Sequence, residues 1–546
     1  MIRLKNGTII VNFSFMDSLT KPVSDFLKKN IKNILLALLV AISVAYFISY
    51  YFNGLGLSYN DARSHLDIGR RVVEGLKPGV AQLGSVWLPL PHVLMLLTVW
   101  NDFMWHSGLS GALQSMFSFV ATALLIYAFL KELNVGMLGR LVGVFIFVAN
   151  LNILYLQSTA MTELLLIATM TASAYELLLW FKKDTLFNLV KASFWIMLST
   201  LIRYDGWFLF VFAGFLISTY VIFKKGYKQA EGTAVLYGTL AGFGVILWLV
   251  WNQLIFHDAL YFIFGPYSAH AQQDQLANAG ILATKGNVLF SIKVYLYALA
   301  YNSNMFIAVL GVIGAIVFWI DKNISRPIKI ASLSLLAPLI FNILALYLGH
   351  SVLFVQGLSG DTWFNVRYGI VMMPGIAIFI GYLIHKLPTL RNVLIGLILF
   401  VTFFSFTSRD AVTIDDARVG SSQKNVSEVS GWLTKYAKNE QGFILISVAS
   451  HDAIIFSSGL PMKRFIHEGT GIYWDTAAAS PELWARWIVM RTNDMNDSTF
   501  KLISKTPAYK NGMYKLVDHY PFADIYELKP EYLQYLNVNP TLKQVK

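Results

Sequence analysis

The sequence has no cysteine, which removes thiol nucleophiles, thiolate metal sites and disulfides together. It is also poor in charge: Asp, Glu, Lys and Arg make up 14% of the 546 residues, where a soluble domain carries about a quarter. Acidic residues are especially sparse before residue 408, where 16 Asp and Glu accompany 27 Lys and Arg. These shortages exclude a disordered chain and a disulfide scaffold. With 56% hydrophobic residues and a mean hydropathy of +0.55, a soluble enzyme is excluded as well. The composition describes a polytopic helical membrane protein.

The formal net charge of +12 sits in the apolar part. From Ser408 onward 16 basic residues face 15 acidic ones, so that region is nearly balanced. A positive excess confined to loops between apolar runs belongs to cytoplasmic loops, not to a nucleic-acid surface.

A spanning helix needs roughly 20 mostly apolar residues. The sequence offers about eleven such stretches: Ile34–Phe52, Leu109–Leu130, Leu141–Leu156, Leu164–Phe181, Thr185–Ile202, Trp207–Phe223, Ala234–Trp251, Met305–Ile320, Ile330–Leu348, Tyr368–Ile384 and Val393–Phe406. The first starts too far in, and lacks the small-residue cleavage site, to read as a signal peptide. Two further apolar stretches, Leu83–Trp105 and Leu289–Tyr301, are set aside by charge. With eleven spans one side of the membrane receives 19 basic residues and the other 8, whereas counting both extras exports three basic loops. The N-terminus is therefore expected in the cytoplasm, and the two extra stretches at the outer interface.

An odd number of spans sends residues 408–546 outside. There Gly442–Val448 and Trp484–Met490 read as short buried strands, and Tyr514–Val517 and Ile525–Leu528 as edge strands around Pro521. Helical stretches are expected near Val426–Tyr436 and Asp452–Ser458. The organisation is thus a membrane domain over 1–407, with a first outer loop over 53–108 holding interfacial helices, and an extracytoplasmic α/β domain over 408–546.

Nine of the sixteen acids of the membrane part fall on the outer side, and only Glu176 lies well inside a span. Ion-coupled transporters keep ionisable groups near the midplane, so this distribution favours a site at the outer interface. Asp61 opens the first outer loop. It either complements the dipole of an interfacial helix over Ala62–Leu76 or acts as a general base, with His65 one turn later on the same face. An Asp/His pair alone is too few ligands for a metal. Glu163, in the second outer loop, either decorates a helix start capped by Thr159 or Thr162 or faces Asp61 as a second carboxylate. Arg203, beside Tyr204, and Arg367, beside Tyr368, are the only basic residues in their loops. They either snorkel among an aromatic belt or present guanidinium groups to a lipid phosphate at that depth. Lys285, Lys293 and His92 are looser phosphate candidates.

At these residues the chain resembles the GT-C superfamily of integral-membrane glycosyltransferases, nearest to its branch of protein mannosyltransferases and aminoarabinose transferases. The resemblance rests on Tyr59-Asn60-Asp61 after the first span, Trp87-Leu88-Pro89-Leu90-Pro91-His92 in the same loop, Glu163, Arg203-Tyr204, and Arg367-Tyr368 with Pro374. It covers about the first 400 residues through the order and common sidedness of short motifs. Two departures stand out: a single Asp61 follows Asn60 where relatives often have two adjacent acids, and His92 stands near where relatives carry a basic residue before Pro-Pro-Leu. The resemblance implies a multi-pass protein of the cell membrane that moves a sugar from a polyprenyl-phosphate (dolichyl-phosphate-type) donor to an extracytoplasmic hydroxyl of a glycan, lipid or protein Ser/Thr, with inversion. It puts the catalytic acid on Asp61 with support from Glu163, and phosphate contacts on Arg203, Arg367 and His92, with His65, Tyr204 and Tyr368 supporting. A monophosphate donor requires no cofactor, although a divalent metal is compatible. Two other readings share these residues: a transporter or flippase for lipid-linked sugars, and a non-catalytic anchor presenting the outer domain.

Overall fold

The computed structural model describes residues 2–5, 8–11 and 14–539 apart from 266–267, 279 and 421–422, with side chains from residue 30 onward except at 269, 272, 275, 419, 420, 423–425 and 450. A hairpin of β1 (Ile2–Lys5) and β2 (Thr8–Val11) precedes α1 (Ser14–Phe52). The next loop carries α2 (Asn60–Val73), α3 (Leu90–Met95) and α4 (Asp102–His106). Short turns then join α5 (Leu109–Glu132), α6 (Met137–Val148), α7 (Leu151–Leu156), α8 (Glu163–Lys183), α9 (Leu186–Thr200), α10 (Asp205–Lys225) and α11 (Tyr227–Phe256). After α12 (Tyr261–Phe264) and α13 (Ala269–Asn278) come α14 (Val288–Ser303), α15 (Met305–Ile320), α16 (Arg326–Ser332) and α17 (Ala337–Leu348). A tight 3-10 turn over Val366–Met372 runs into α18 (Met373–Lys386), and α19 (Arg391–Ser408) ends the apolar part.

Among the described residues, eight helices are long and apolar enough to cross a membrane. A ninth crossing is counted if α14 and α15, bent by 108°, make one. All eleven predicted stretches fall on helices. Met305–Ile320 is α15 of the bent pair, and Leu141–Leu156 and Thr185–Ile202 fall on shorter helices. The third stretch breaks because the Asn150 side chain accepts a hydrogen bond from the Ile153 amide and starts a new helix, α7. Leu83–Trp105 makes no long helix: Pro89 and Pro91 sit at the start of α3, and a turn at residues 96–101 separates it from α4.

The most enclosed helices are α8 and the Val366–Lys386 helix, buried over 94% and 89% of their apolar windows. Small residues make this possible. A Cβ on Gly139 would stand 2.5 Å from the Gly381 carbonyl oxygen, and one on Gly314 2.4 Å from that of Phe379. The backbones of α6 and α15 therefore rest directly against α18. Glu163 and Arg367 begin these two enclosed helices, so their side chains start from rigid supports.

Beyond α20 (Val412–Asp415) the chain forms a small α/β domain. Its strands are β3 (Phe443–Ile446), β4 (Phe465–Ile466), β5 (Ala485–Met490), β6 (Tyr514–His519) and β7 (Asp524–Leu528), in the order β4-β3-β5-β7-β6. Strand β3 is parallel to both neighbours, and β7 is antiparallel to both of its own. Strand β7 is thus interior, not the edge expected from sequence; the two-residue β4 is an edge too short to register as a strand pattern. Helices α21 (Gln423–Tyr436), α22 (Val448–Ser458), α23 (Ile472–Ala479), α24 (Ser498–Ile503) and α25 (Pro507–Lys510) complete the domain.

The helix after the first span was expected to be an interfacial helix completed by its charges. In α2 the residues Arg63, His65, Asp67, Arg70 and Arg71 are all buried. Two coverings act: residues 57 and 87–102 of the same loop bond or stack on Arg63, His65 and Arg70, and α22 of the C-terminal domain packs on α2 and meets Arg71.

Candidate active site

Four charged side chains, distant in sequence, meet where α2, α8, α10 and the Val366–Met372 turn begin. Arg367 is the hub. Its Nη2 donates to Asp61 Oδ2 at 2.6 Å and its Nε donates to Glu163 Oε1 at 2.9 Å. Arg203 Nη1 donates to the same Glu163 oxygen at 3.2 Å, and its Nε donates to Asp205 Oδ2 at 3.2 Å. Arg367 Nη1 also stands 3.7 Å from Asp416 Oδ2. The Tyr368 ring lies beneath both guanidinium groups, with centroids 4.7 Å from Arg203 and 5.4 Å from Arg367. The Tyr59 ring covers Arg367 at 4.8 Å, an arrangement favourable to a desolvated cation.

The network is most open at Asp61 and next at Arg203, whose side chain is 19% exposed. The side chains of Glu163, Asp416 and Asp205 are 0%, 2% and 4% exposed, and that of Arg367 is 5% exposed, whereas Asp61 is 44% exposed. Two guanidinium groups face four carboxylates, so no positive charge is left over. Of the four carboxylates Asp61 is the most exposed, so its bond to Arg367 Nη2 is the one most open to competition from an incoming anion.

Local structure explains these positions. Asp61 lies in the first turn of α2, whose N-cap, Tyr59, makes no side-chain cap. Glu163 begins α8 after Thr162, which likewise makes no side-chain cap. Thr159 instead donates to the Leu156 carbonyl. Both acids therefore sit at helix starts, where backbone N–H groups favour negative charge. Gly369 allows the Arg367 turn its depth: a Cβ there would lie 2.6 Å from the Ala298 backbone of α14.

The remaining sequence candidates separate into two groups. Tyr368 belongs to the network. His65 and His92 bond to each other, Nδ1 to Nε2 at 2.8 Å, beneath the Trp87 ring. Burial, then Arg367 and Arg203, pushes His65 down to about 3. Burial, then His65 and Arg71, holds His92 well below the usual imidazole range. The pair is neutral, and the guanidinium group that acts on His92 is Arg71, which is outside the Arg203–Arg367 network. Tyr204 turns away, stacking on Phe262 and edge-on to Trp207. Lys285 lies by Gly349, and Lys293 over Tyr297.

Three members of the network were not singled out from sequence as site residues: Tyr59, Asp205 and Asp416. Asp416 comes from the far side of the last apolar helix. The Tyr59 hydroxyl donates to Asp416 Oδ2 at 3.0 Å and lies 2.8 Å from the Thr413 carbonyl oxygen. Burial and the Asp416 charge push the Tyr59 phenol well up, so it stays a donor. The available signal was the Asp415-Asp416 pair just beyond the final span.

A cavity of about 320 Å³ lies nearby, lined by Asn150, Asn152, Asn302, Asn304, Ser405 and Asp410 among others. None of the four charged residues lines it. One layer of residues separates it from them: Asn152 Oδ1 accepts from the Thr413 amide and hydroxyl, and Asn302 Nδ2 donates to the Val366 carbonyl. Among the described residues no group of three or more His, Cys, Asp or Glu is arranged to hold a metal.

The architecture, a multi-pass bundle of apolar helices with a small C-terminal sheet, is shared with solved structures. The chain superposes on ArnT from Cupriavidus metallidurans bound to undecaprenyl phosphate with a TM-score of 0.54 and 9% identity, over 90% of this chain and 98% of that one. Apo ArnT from the same organism gives a TM-score of 0.54 and 10% identity over the same shares. An Archaeoglobus fulgidus oligosaccharyltransferase in complex with zinc and sulfate superposes with a TM-score of 0.48 and 12% identity, over 83% of this chain and 67% of that chain. No protein-family model matches the chain, and no curated protein matches it by sequence.

Proposed function

We propose that this protein is an inverting glycosyltransferase that moves a sugar from a polyprenyl-phosphate donor to an extracytoplasmic hydroxyl. The observation that carries the reading is the Arg367 guanidinium, held between one buried carboxylate, Glu163, and one open carboxylate, Asp61. The shared fold with an ArnT structure that holds undecaprenyl phosphate supports a lipid-phosphate donor. The sidedness of basic residues supports an N-terminus in the cytoplasm, with the network and the C-terminal domain outside.

Each group then has a task. The donor phosphate takes the Nη2 donor of Arg367 from Asp61, with Arg203 beside it. Glu163 stays in place, keeping both guanidinium groups aimed. The released Asp61 carboxylate accepts the proton of the acceptor hydroxyl as its oxygen attacks the anomeric carbon. The bond from that carbon to the phosphate oxygen breaks on the opposite face, and its electron pair leaves with the lipid phosphate. Arginines that tighten on the growing negative charge lower the barrier. The reading requires no metal, and a divalent cation is compatible with it.

The test is purified Asp61→Asn protein supplied with the sugar-linked polyprenyl phosphate that copurifies with the wild type. The protein should fold and lose transfer. Normal transfer by that variant would overturn the assignment of the base. Lipid movement across liposomes without release of polyprenyl phosphate would instead favour a flippase.

A further inference from the structure

The C-terminal domain has no task in the chemistry above, yet it holds α2 at both ends. At the N-terminal end, Tyr59 is bonded to Thr413 and Asp416, just after α19. At the C-terminal end, Arg71 Nη1 donates to Asp452 Oδ1 of α22 at 2.7 Å, with both side chains buried. Past α2, Gln82 Nε2 donates to the Gly469 carbonyl at 2.7 Å, and Leu76 packs against the core of the sheet.

The place where α2 docks is informative. The strand order β4-β3-β5 means that the chain leaves β3 in one direction and returns on its other side. In open α/β sheets, ligands bind at such a switch point, beyond the carboxyl ends of the strands. Here that place is filled from within. His451 Nε2 bonds Asp497 Oδ2 at 2.7 Å, and the Arg491 amide donates to the same oxygen. Asp452, the next residue of α22, faces Arg71. The crevice is thus a socket for a helix of this same chain.

A second buried carboxyl, Asp67, faces Asp452 from α2. Burial, then the Asp452 charge, pushes Asp67 well up. Burial raises Asp452 to about 6 against the pull of Arg71 and Asp67. The Asp67 Oδ1 accepts from Trp105 Nε1 at 3.2 Å.

We propose that the C-terminal domain is the positioning element of the site: through the Arg71–Asp452 pair it fixes α2, and so places the Asp61 carboxylate against Arg367. This rests on the reading of Asp61 as the base. An α-helix of 14 residues is about 21 Å long, so a slip at Arg71 is carried to Asp61 through one rigid rod. Arg71 and Asp452 are positioning residues and touch no substrate.

The experiment uses the full chain in nanodiscs, with Asp452→Ala, Arg71→Gln, Asp452→Asn and Asp61→Asn. Turnover is measured on synthetic undecaprenyl-phosphate mannose or on the copurifying lipid, and hydrogen exchange is followed at the amides of residues 60–66. The expected result for Asp452→Ala and Arg71→Gln is a kcat lowered about 10- to 100-fold with donor KM unchanged, and faster exchange at 60–66. Asp452→Asn keeps an acceptor for Arg71 and should restore most of the kcat. Wild-type kcat in Arg71→Gln and Asp452→Ala, with Asp61→Asn inactive, would overturn the positioning role while leaving the base in place. An active Asp61→Asn would overturn the base instead. Unchanged exchange at 60–66 in folded Arg71→Gln would overturn the clamp whatever the activities. If Asp452→Ala fails to fold, Arg71→Gln decides alone.

Discussion

The two ends of α2 carry the same kinds of side chain to opposite purposes. At its start an arginine meets carboxylates and one of them, Asp61, is left 44% exposed. At its end Arg71 meets Asp452, and the two are 9% and 10% exposed. The first arrangement has an excess of carboxylate and an open corner, so a ligand can rearrange it. The second is sealed, with Arg71 and Asp452 both buried against each other. Composition does not separate a site from a joint; access to one member of the network does.

The largest effect should come from Asp61→Asn. A general base is worth about 10²–10⁴ in rate, and stability should change little because the side chain is partly in water. Turnover and melting of the purified variant check both halves. Next is Glu163→Leu, which leaves two buried charged donors, Arg367 Nε and Arg203 Nη1, without the oxygen they share. Breaking a buried pair costs about 3–5 kcal/mol, so this variant should melt far below the wild type. Equal melting would mean that Glu163 is not the anchor of the network. Arg203→Lys keeps charge but loses the fork that reaches Glu163 and Asp205 together, and should weaken undecaprenyl-phosphate binding by about tenfold.

The smallest effect is a pH dependence. His65 is depressed from 6.5 to about 3, and His92 is also depressed. Both are neutral when folded and protonate in the unfolded chain below about 6.5. Their stabilisation is therefore full above that value and is lost as pH falls towards their folded values. The melting temperature should fall between pH 6.5 and 4, and the fall should be shallower in His92→Asn. An unchanged slope in that variant would mean that other groups govern acid sensitivity.

Much of this molecule is legible in its sequence, for identifiable reasons. Long apolar runs report helices directly, so all eleven stretches fall on helices. Asp61, Glu163, Arg203 and Arg367 were visible because charge is rare near apolar runs and each flanks one. The burial of α2 was not legible: Arg63 and Arg70 are covered by their own loop, at Leu57 and at Val99–Asp102, and Arg71 by Asp452 of α22, contacts that helix periodicity does not report. Asp416 was missed because acids are common after residue 408, where its counterpart Asp452 is also found. His92 looked like a phosphate ligand from its place near the Pro-rich motif, but its pairing with His65 depends on a contact across 27 residues.

The most direct test of the central claim is the Kd of undecaprenyl phosphate for wild type and Asp61→Asn in nanodiscs. If Asp61 and the lipid phosphate compete for Arg367, removing the carboxylate charge frees a donor, and the variant should bind about tenfold more tightly while transferring nothing. Binding that is unchanged or weaker in Asp61→Asn would contradict the exchange at Arg367 on which the account depends.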